Sequence, residues 1–326
     1  MSSLPHGSEP RTGASLLAQV STLYYLDGRT QAEIAQRLRL SRPKVCRLLC
    51  AARDAGIARI IVSPTHGALL ALETELEARF ALREVRIVPS SFDEPAASIR
   101  CQLGAAAAAD LARSVRPGHT VGLAGTDLLA SMIDAAAPMT ASEVRVVQGV
   151  GWEQTAPSSK RTLMDLVLDL AHRIEGSAVV LPAPFVVESH EDRRKLEADP
   201  QIGDALQALD ALDTLYTEIA PVAPDVDYQH IQPAPMGRIA LRHFDLRGHM
   251  LGESADGHVV GISIEQLHRA RHVVALAHGP AQAPVIAAAM RTRLVGTLIT
   301  DECTARAIVA LPSLAGATTG GNSRYA

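Results

Sequence analysis

The sequence predicts an α/β protein with two domains, a short helical domain at the N-terminus and a larger domain built on a doubly wound parallel sheet. The chain has 326 residues, which allows two domains with an ample core. Apolar residues follow helical spacing through residues 14–54, where the short domain is predicted. From residue 84 onward, strand-like apolar runs alternate with helical ones, which is typical of a parallel sheet with helices on both faces.

Charge is distributed unevenly between these two parts. Residues 1–63 hold nine basic and four acidic residues, whereas the rest of the chain holds 22 basic and 31 acidic ones. This distribution fits a basic domain that contacts phosphate, joined to an acidic body that does not. Aromatic residues make up only 3% of the chain, so we expect a core of Ala, Leu, Val and Ile.

Two short helices with a tight break between them are predicted from Thr30 to Gly56. Thr30, with Glu33 three residues later, forms a capping box at the start of the first helix. Ser41 is a second N-cap, and Pro43 stands in the first turn, where its missing N–H costs little. Basic residues occupy the start of the second helix, as in a helix-turn-helix, whose second helix enters the major groove of DNA. Helix pairs with exposed Arg and Lys also occur in domains that never contact DNA, and that interpretation stays open here.

The residues expected to contact DNA stand on these two helices. They are Thr30, Gln31, Ser41, Arg42, Lys44, Arg47 and Arg53. We expect the hydroxyl and amide side chains to cap helices or hold phosphates. The first three basic side chains are expected to reach the major groove, because they lie at the start of the second helix, and the last one to contact the DNA backbone.

The pattern divides the chain into five segments. They are a disordered tail (1–13), the helix-turn-helix domain (14–63), a linker helix (64–83), the α/β domain (84–311) and a flexible tail (312–326). An apolar run at 57–62 predicts a strand that closes the first domain, which makes this domain winged-helix-like. The linker helix either pairs subunits or packs on its own body, and the sequence favours neither alternative.

The α/β domain is predicted from its alternating runs. Strand-like runs lie at 85–88, 120–123, 144–148, 178–181, 259–264, 272–276 and 294–299. Helical runs lie at 96–114, 128–137, 160–173, 190–196, 283–290 and 304–311. In such sheets, ligands bind at the carboxyl ends of the strands, often with anions at helix N-termini.

The stretch from Leu23 to Val62 resembles the N-terminal domain of the SorC family of transcriptional regulators. The matched features are YY before the first turn, TQ-x-x-IA-x-x-L, SR-x-x-V-x-RLL and A-x-x-x-GI followed by a short apolar strand. The resemblance implies a regulator that couples a helix-turn-helix to a sugar-binding domain, whose fold is similar to that of sugar-phosphate isomerases and deaminases. It further implies a palindromic double-stranded DNA operator, a small carbohydrate-like effector and a homodimer or homotetramer, with no catalytic activity.

Five segments of the larger domain match the family more weakly. They read VGLAGTDLLASM, VVQGVG, LPAPFVVES, MGRIALRHFDLRG and LITDECTARAI. The effector-binding residues that this resemblance implies are Gly122, Gly125, Thr126, Asp127, Gln148, Gly149, Gln282, Asp301 and Glu302. The glycines allow close backbone approach, and Thr126 offers a hydroxyl at the head of a helix. Ordinary strand-to-helix turns would also explain these glycines, and Asp301 and Glu302 either bind sugar hydroxyls or cap a helix.

Three departures from the family pattern concern the charge of the effector. Residues 124–127 read Ala-Gly-Thr-Asp where the family carries Trp-Gly-Arg-Thr, and Gln282 stands in place of a Lys. Glu218-Ile219-Ala220 replaces a Gly-Ile-Gly turn. Because an Asp beside a phosphate repels it, we expect an effector less anionic than a sugar phosphate, namely a free sugar, a polyol or another neutral molecule.

Other interpretations of the body stay open. A sugar phosphate remains possible if Lys160, Arg161 or Arg238 restores positive charge. A decayed site would leave a ligand-blind DNA-binding scaffold. An isomerase-type enzyme with Asp301 or Glu302 as base is the third alternative, although the sequence pairs no acid and base at motif spacing.

Metals, cofactors and membranes are not expected as partners. The four cysteines lack zinc-finger spacing, and His268 and His272 are joined by no carboxylate pattern. We recognise no signal peptide and no run of about 18 apolar residues. The prediction is a reduced, cytoplasmic protein.

Overall fold

The computed structural model describes residues 13–54, 65–152, 161–222, 231–252 and 256–312. The chain divides into two compact units, residues 1–66 and 67–326, and each is described by itself. The predicted strand at 57–62 lies outside the described residues. So do the two predicted tails, apart from Gly13 and Pro312.

Three helices form the described part of the first unit. They are α1 (Gly13–Ser21), which continues into a π-helical turn at Thr22–Leu26, α2 (Gln31–Leu38) and α3 (Arg42–Asp54). Arg39 ends α2 in the left-handed conformation, with φ at 54°, and so turns the chain towards α3. The small core that the helices share consists of Val20, Leu23, Ile34, Ala35, Val45 and Leu49. The helical spacing that begins at residue 14 is therefore observed first as α1 and the π-helical turn.

The second unit is an α/β structure. Its strands are β1 (Glu84–Val88), β2 (Thr120–Ala124), β3 (Arg145–Gln148), β4 (Ser177–Val179), β5 (Thr214–Pro221), β6 (Gly237–Ile239), β7 (Arg242–Phe244), β8 (Val273–Leu276) and β9 (Thr297–Asp301). Its helices are α4 (Thr65–Phe80), α5 (Ala96–Ser114), α6 (Asp127–Ala135), α7 (Leu163–Arg173), α8 (His190–Glu197), α9 (Pro200–Ala208), α10 (Ile264–Arg269), α11 (Ala283–Arg291) and α12 (Glu302–Val309). This architecture confirms the predicted α/β class.

The main sheet is parallel and runs in the order β1-β9-β8-β5-β2-β3-β4. From β2 the chain moves outward through β3 to β4, and from β5 it moves the opposite way through β8 to β9. Right-handed crossovers therefore place α6 and α7 on one face and α11 on the other. Neighbouring strands β2 and β5 form the switch point, where open α/β sheets bind ligands.

Two strand predictions in this sheet are wrong. The central strand β5 was not expected, because polar Thr217 and Glu218 interrupt its apolar run. The run 259–264 was expected to be a strand, but it contributes only the isolated bridges Val186–Val259 and Val150–Gly261. Gly261 has φ at +154°, and a Cβ there would lie 2.8 Å from the Gly149 carbonyl oxygen, so this segment crosses close to the backbone after β3.

Helix α4, the predicted linker, packs on the body of the second unit. Leu69, Leu76 and Phe80 are buried in the core of that unit. The Glu77 and Glu73 carboxylates accept hydrogen bonds at 2.8 Å from the amides of Val85 and Ile87 on edge strand β1. These side chains satisfy the unpaired amides of a sheet edge, which would otherwise be open to another chain. A role of α4 in pairing subunits stays a prediction.

Candidate functional site

The helix pair of the first unit has the predicted caps. The Thr30 hydroxyl accepts from the Glu33 amide at 3.3 Å, and the Glu33 carboxylate accepts from the Thr30 amide at 2.8 Å. This backbone hydrogen bond, with one from the Thr30 hydroxyl, lowers the pKa of Glu33 below its ordinary value. The Ser41 hydroxyl accepts from the Lys44 amide at 3.4 Å. Both helices therefore begin at defined residues.

The predicted DNA-reading residues lie exposed at the start of α3. Val45, Leu49 and Ala52 are buried, and at 3.6 residues per turn Arg47 falls on the opposite face of the helix. Arg42, Lys44 and Arg47 are exposed, and their side chains make no hydrogen bond or ion pair with any described residue. Three exposed cations on one short helical segment, without partners in the described part of the chain, are available to a polyanion.

The remaining predicted DNA-contacting residues surround these three. Thr30 and Ser41 are exposed, and Gln31, the first residue of α2, is partly buried. Arg53 lies in the last turn of α3, but its side chain is outside the described part of the chain.

The carboxyl edge of the parallel sheet holds most of the predicted effector residues. Gly125 and Thr126 follow β2 directly, and Asp127 begins α6. Gly125 has φ at +149°, a conformation that favours glycine, and it turns the chain sharply from strand to helix. Thr126 is the N-cap residue of α6, but its hydroxyl makes no capping hydrogen bond. Gly122 lies earlier, inside β2, where a Cβ would come within 2.9 Å of Leu212 and Leu215, so it serves packing.

Glu218, near the end of β5, fills the turn between β2 and α6. Its Oε1 accepts hydrogen bonds from the amides of Leu128 at 2.9 Å and Leu129 at 3.2 Å. Burial raises the pKa of Glu218 to about 7, against the lowering effect of these hydrogen bonds, and nearby Asp127 raises it further. Sequence analysis did not place Glu218 among the site residues. Its position where the family pattern has a glycine was the available signal.

Gln148, the last residue of β3, and Gly149, which follows it, both make close contacts with other parts of the protein. The buried Gln148 amide donates to the Val150 carbonyl at 2.9 Å and accepts from the Leu181 amide at 3.3 Å. A Cβ at Gly149 would lie 2.9 Å from the Leu123 carbonyl oxygen, so glycine is needed for close strand packing. A direct contact of either residue with an effector stays a prediction.

Asp301 at the end of β9 caps α12. Its carboxylate accepts from the Ser90 hydroxyl at 2.9 Å, the Thr304 amide at 3.1 Å and the Thr304 hydroxyl. The residue is only 1% exposed. Neighbouring Glu302 pairs with Arg306 at 2.7 Å. The helix-capping alternative therefore describes Asp301 in this structure.

Two residues that sequence analysis missed lie at the same edge, His278 after β8 and Arg100 in α5. Burial lowers the pKa of His278; Asp301 and Asp127 oppose this lowering, and Arg100 adds to it. Asp301, Asp127 and Arg100 are thus each close enough to His278 to act on it electrostatically. Neither the His278 ring nor the Arg100 guanidinium hydrogen-bonds to a described residue, and the side-chain amide of Gln282 makes no such bond either. The signal that would have found His278 is its position directly after a strand.

Three cations were suggested as substitutes for the Arg and Lys of the family pattern, and the structure describes two of them. Arg161 pairs with Asp134 at 2.7 Å and also with Asp169, so its charge is already balanced. Arg238 lies on β6, which pairs with the end of β5. Lys160 is outside the described residues. Arg100, by contrast, lies close enough to His278 to lower the pKa of that ring.

Surface cavities of about 300 and 390 Å³ lie at the other, amino edge of the sheet. Their linings include ion-paired residues such as Arg271 and Asp213, whose side chains lie 3.0 Å apart. The carboxyl edge remains the better candidate, because it combines the switch point with unpaired polar groups. Among the described helices, none has both the length and the hydrophobicity needed to cross a membrane.

Comparison with known proteins agrees with this architecture. Residues 65–310 match the family model described as "Putative sugar-binding domain". The transcriptional regulator LsrR of Enterobacter sp. (strain 638) is 30% identical over 319 residues, covering 92% of this chain and 94% of that protein. LsrR of Klebsiella pneumoniae is 28% identical over 321 residues, covering 91% and 94%. The full-length sorbitol operon regulator SorC from Klebsiella pneumoniae superposes with a TM-score of 0.72 at 22% identity, covering 91% of this chain and 99% of that one.

Proposed function

The chain belongs to the SorC family of sugar-binding transcriptional regulators, and from this membership we propose that it is a cytoplasmic repressor or activator whose operator affinity depends on a neutral carbohydrate-like effector. In this proposal α3 reads the operator, and the carboxyl edge of the parallel sheet binds the effector. The operator is palindromic, because helix-turn-helix proteins bind two-fold sites as symmetric oligomers, here a homodimer or homotetramer.

The observation that carries the DNA-binding role is the exposed triad Arg42, Lys44 and Arg47 at the capped start of α3, whose side chains have no partner among the described residues. Guanidinium groups in the major groove bind guanine edges, and any cation in reach of the backbone binds phosphate. Burial of the opposite face of α3 in the small core fixes the orientation of this triad.

The proposed effector site consists of groups that match hydroxyls. Asp127 is exposed at the head of α6, and Arg100 and His278 carry no hydrogen bond within the described chain. A sugar or polyol hydroxyl both donates and accepts, so it can bind a carboxylate, a guanidinium and a neutral imidazole together. Gly122, Gln148, Gly149 and Asp301 support the backbone of this edge, with Gln282 and Glu302 at its rim.

Effector control follows from thermodynamic linkage. A ligand that binds one arrangement of the oligomer more tightly shifts the operator affinity, and DNA shifts the ligand affinity by the same factor. No catalytic role is proposed. Asp301, the candidate base, is buried and already accepts three hydrogen bonds from the protein.

A ligand-blind scaffold is the second candidate function. The internal hydrogen bonds of Gln148, Asp301 and Glu218 favour it, because they leave fewer groups for a ligand. A thermal-shift screen with sugars, polyols and sugar phosphates separates the two candidates. Saturable stabilisation by one compound supports a sensor, whereas no response across the panel supports the scaffold.

The DNA-binding role is tested by incubating the purified protein with sheared genomic DNA of its source at physiological salt and sequencing the bound fragments. A palindromic site beside an uptake or catabolic operon for a sugar or polyol is the expected result. Diffuse binding that disappears with added salt would contradict sequence-specific regulation.

A further inference from the structure

The amino terminus of α6 already holds a carboxylate from the protein itself. Glu218 Oε1 accepts from two successive amides of the first turn, those of Leu128 and Leu129. Amides at a helix start bind anions because they point outward without a partner in the helix and carry the positive end of the dipole. A helix start beside a switch point is where an α/β sheet places the anionic group of a ligand.

The space around this carboxylate is filled. A Cβ on Gly125 would lie 2.8 Å from Glu218 Cγ and 2.9 Å from Oε1, so the side chain rests directly on the strand-to-helix turn. Thr217 holds the backbone of the same strand, since its hydroxyl donates to the Ala124 carbonyl at 2.9 Å. An anion of phosphate size cannot reach the Leu128 and Leu129 amides unless Glu218 leaves.

The charge around the turn also disfavours an anionic ligand at the start of α6. Asp127 is close enough to raise the pKa of Glu218, so the turn carries two carboxyl groups beside each other. The cation Arg100 acts on His278, and no described cation is among the main causes of the Glu218 pKa shift. A phosphorylated ligand would therefore meet like charge where the helix would otherwise attract it.

We propose that Glu218 determines effector specificity: its carboxylate takes the anion position at the start of α6, so the site accepts neutral polyhydroxylated molecules and rejects phosphorylated ones. This inference rests on the proposed function, in which the carboxyl edge binds the effector. It makes removal of one side chain sufficient to open an anion site.

The test uses inorganic phosphate and sulfate as probes with the full chain at pH 8, where Glu218 is ionised. Binding is measured by thermal shift and by isothermal titration. The wild-type protein is expected to show no saturable binding. Glu218→Gly and Glu218→Ala vacate the position and are expected to bind both anions saturably, with an affinity at least about tenfold above the detection limit that the wild type sets, as two charge-assisted hydrogen bonds become available.

Two matched variants distinguish the effect of emptying the Glu218 position from the effect of removing a negative charge. Glu218→Gln keeps the volume and loses the charge, and Asp127→Asn removes a neighbouring charge without emptying the position. Neither is expected to bind phosphate or sulfate saturably, whatever effect Asp127→Asn has on effector binding. Anion binding in Asp127→Asn equal to that in Glu218→Gly would show that net charge alone decides, and would overturn the proposal.

Two further outcomes would overturn it as well. One is saturable phosphate binding by the wild-type protein. This titration needs no variant, so it remains decisive if the variants misfold. The other is a folded Glu218→Gly or Glu218→Ala protein that binds no anion. Failure of the proposed function is separate, because it appears as absent operator binding or an absent effector response whatever the anion titrations show.

Discussion

The Glu218 carboxylate accepts a hydrogen bond from the Leu128 amide across 2.9 Å, so a side chain of central strand β5 closes the first turn of α6. Strands β2 and β5 are neighbours in the sheet, and the chain continues from them towards opposite sides of it. The contact between Glu218 and α6 therefore lies at the switch point. The stability of the second unit should therefore respond to the ionisation of this one group.

The contribution of Glu218 to the free energy of unfolding is predicted to fall as the pH rises from about 4.5 to 7. Burial raises the pKa of Glu218 to about 7 from 4.5, so the folded protein holds a proton that the unfolded chain releases across this window. This contribution is complete below pH 4.5 and is lost as the pH rises through 7; at 1.36 kcal/mol per pKa unit it reaches about 3 kcal/mol. Denaturant unfolding of the wild type and of Glu218→Gln at several pH values measures it.

The difference between these two proteins isolates Glu218, because His272 and His278 titrate in both. The stability of Glu218→Gln relative to the wild type should increase between pH 4.5 and 8. A difference that stays constant with pH would mean that the Glu218 pKa is not raised.

Tyr216→Phe is predicted to destabilise the protein by about 1–3 kcal/mol, because a buried acceptor loses its donor. The buried Tyr216 hydroxyl donates to Asp110 Oδ2 at 2.8 Å, and burial together with the Asp110 charge raises the pKa of Tyr216 well above its ordinary value. Ser114→Ala is the matched control, since it removes a 3.3 Å contact to the same hydroxyl and a 3.4 Å hydrogen bond to the Leu111 carbonyl but leaves the Tyr216–Asp110 hydrogen bond in place. Equal free energies of unfolding for the two variants would contradict a central role of the Tyr216–Asp110 hydrogen bond.

Thr30→Ala is predicted to cost about 1 kcal/mol in the first unit, because it removes the hydroxyl that accepts from the Glu33 amide and donates to the Glu33 carboxylate. Hydrogen exchange of the α2 amides measures the loss locally. Thr30→Ser keeps the hydroxyl and should retain most of the protection. If the α2 amides exchanged as fast in Thr30→Ser as in Thr30→Ala, the loss would instead come from packing of the Thr30 methyl group.

Arg47→Ala is predicted to weaken binding to the selected operator by about 1–3 kcal/mol and to relax sequence preference at one position. Arg37→Ala removes the same charge from the exposed end of α2 and is the matched control. A phosphate contact alone would weaken all sequences alike and lower the salt slope by about one. Identical sequence preferences for Arg47→Ala and the wild type would exclude base reading by Arg47.

The sequence predicted elements well where local signals agree with the fold. The capping box at Thr30 and the cap at Ser41 mark the starts of α2 and α3 directly. Apolar runs identified β1, β2, β3 and β8. Strands β2 and β8 are buried along their whole length, whereas in edge strand β1 every second residue is buried. Caps and apolar runs depend on neighbouring residues only, so they can be recognised without the tertiary structure.

Most of the missed features depend on distant parts of the chain, and one had a local signal. Strand β5 carries Thr217 and Glu218 inside the sheet because their polar groups bind the backbone of β2 and α6, nearly a hundred positions away. Helix α9 begins at Pro200 after an Asp199 cap, a local signal that was overlooked. The site was predicted in part for the same reason: strand ends were recognised, but the partners of Glu218, Asp301 and Gln148 arise from tertiary contacts.

The most direct measurement is a titration of the protein–operator complex, followed by fluorescence anisotropy, with free pentoses, hexoses and hexitols and with the phosphate esters of the same compounds. The prediction is that one neutral compound shifts operator affinity saturably and that its phosphate ester has no effect at equal concentration. A shift produced by a sugar phosphate at micromolar levels, with the neutral parent inactive, would contradict the proposed effector class, and no shift from any compound would contradict effector control.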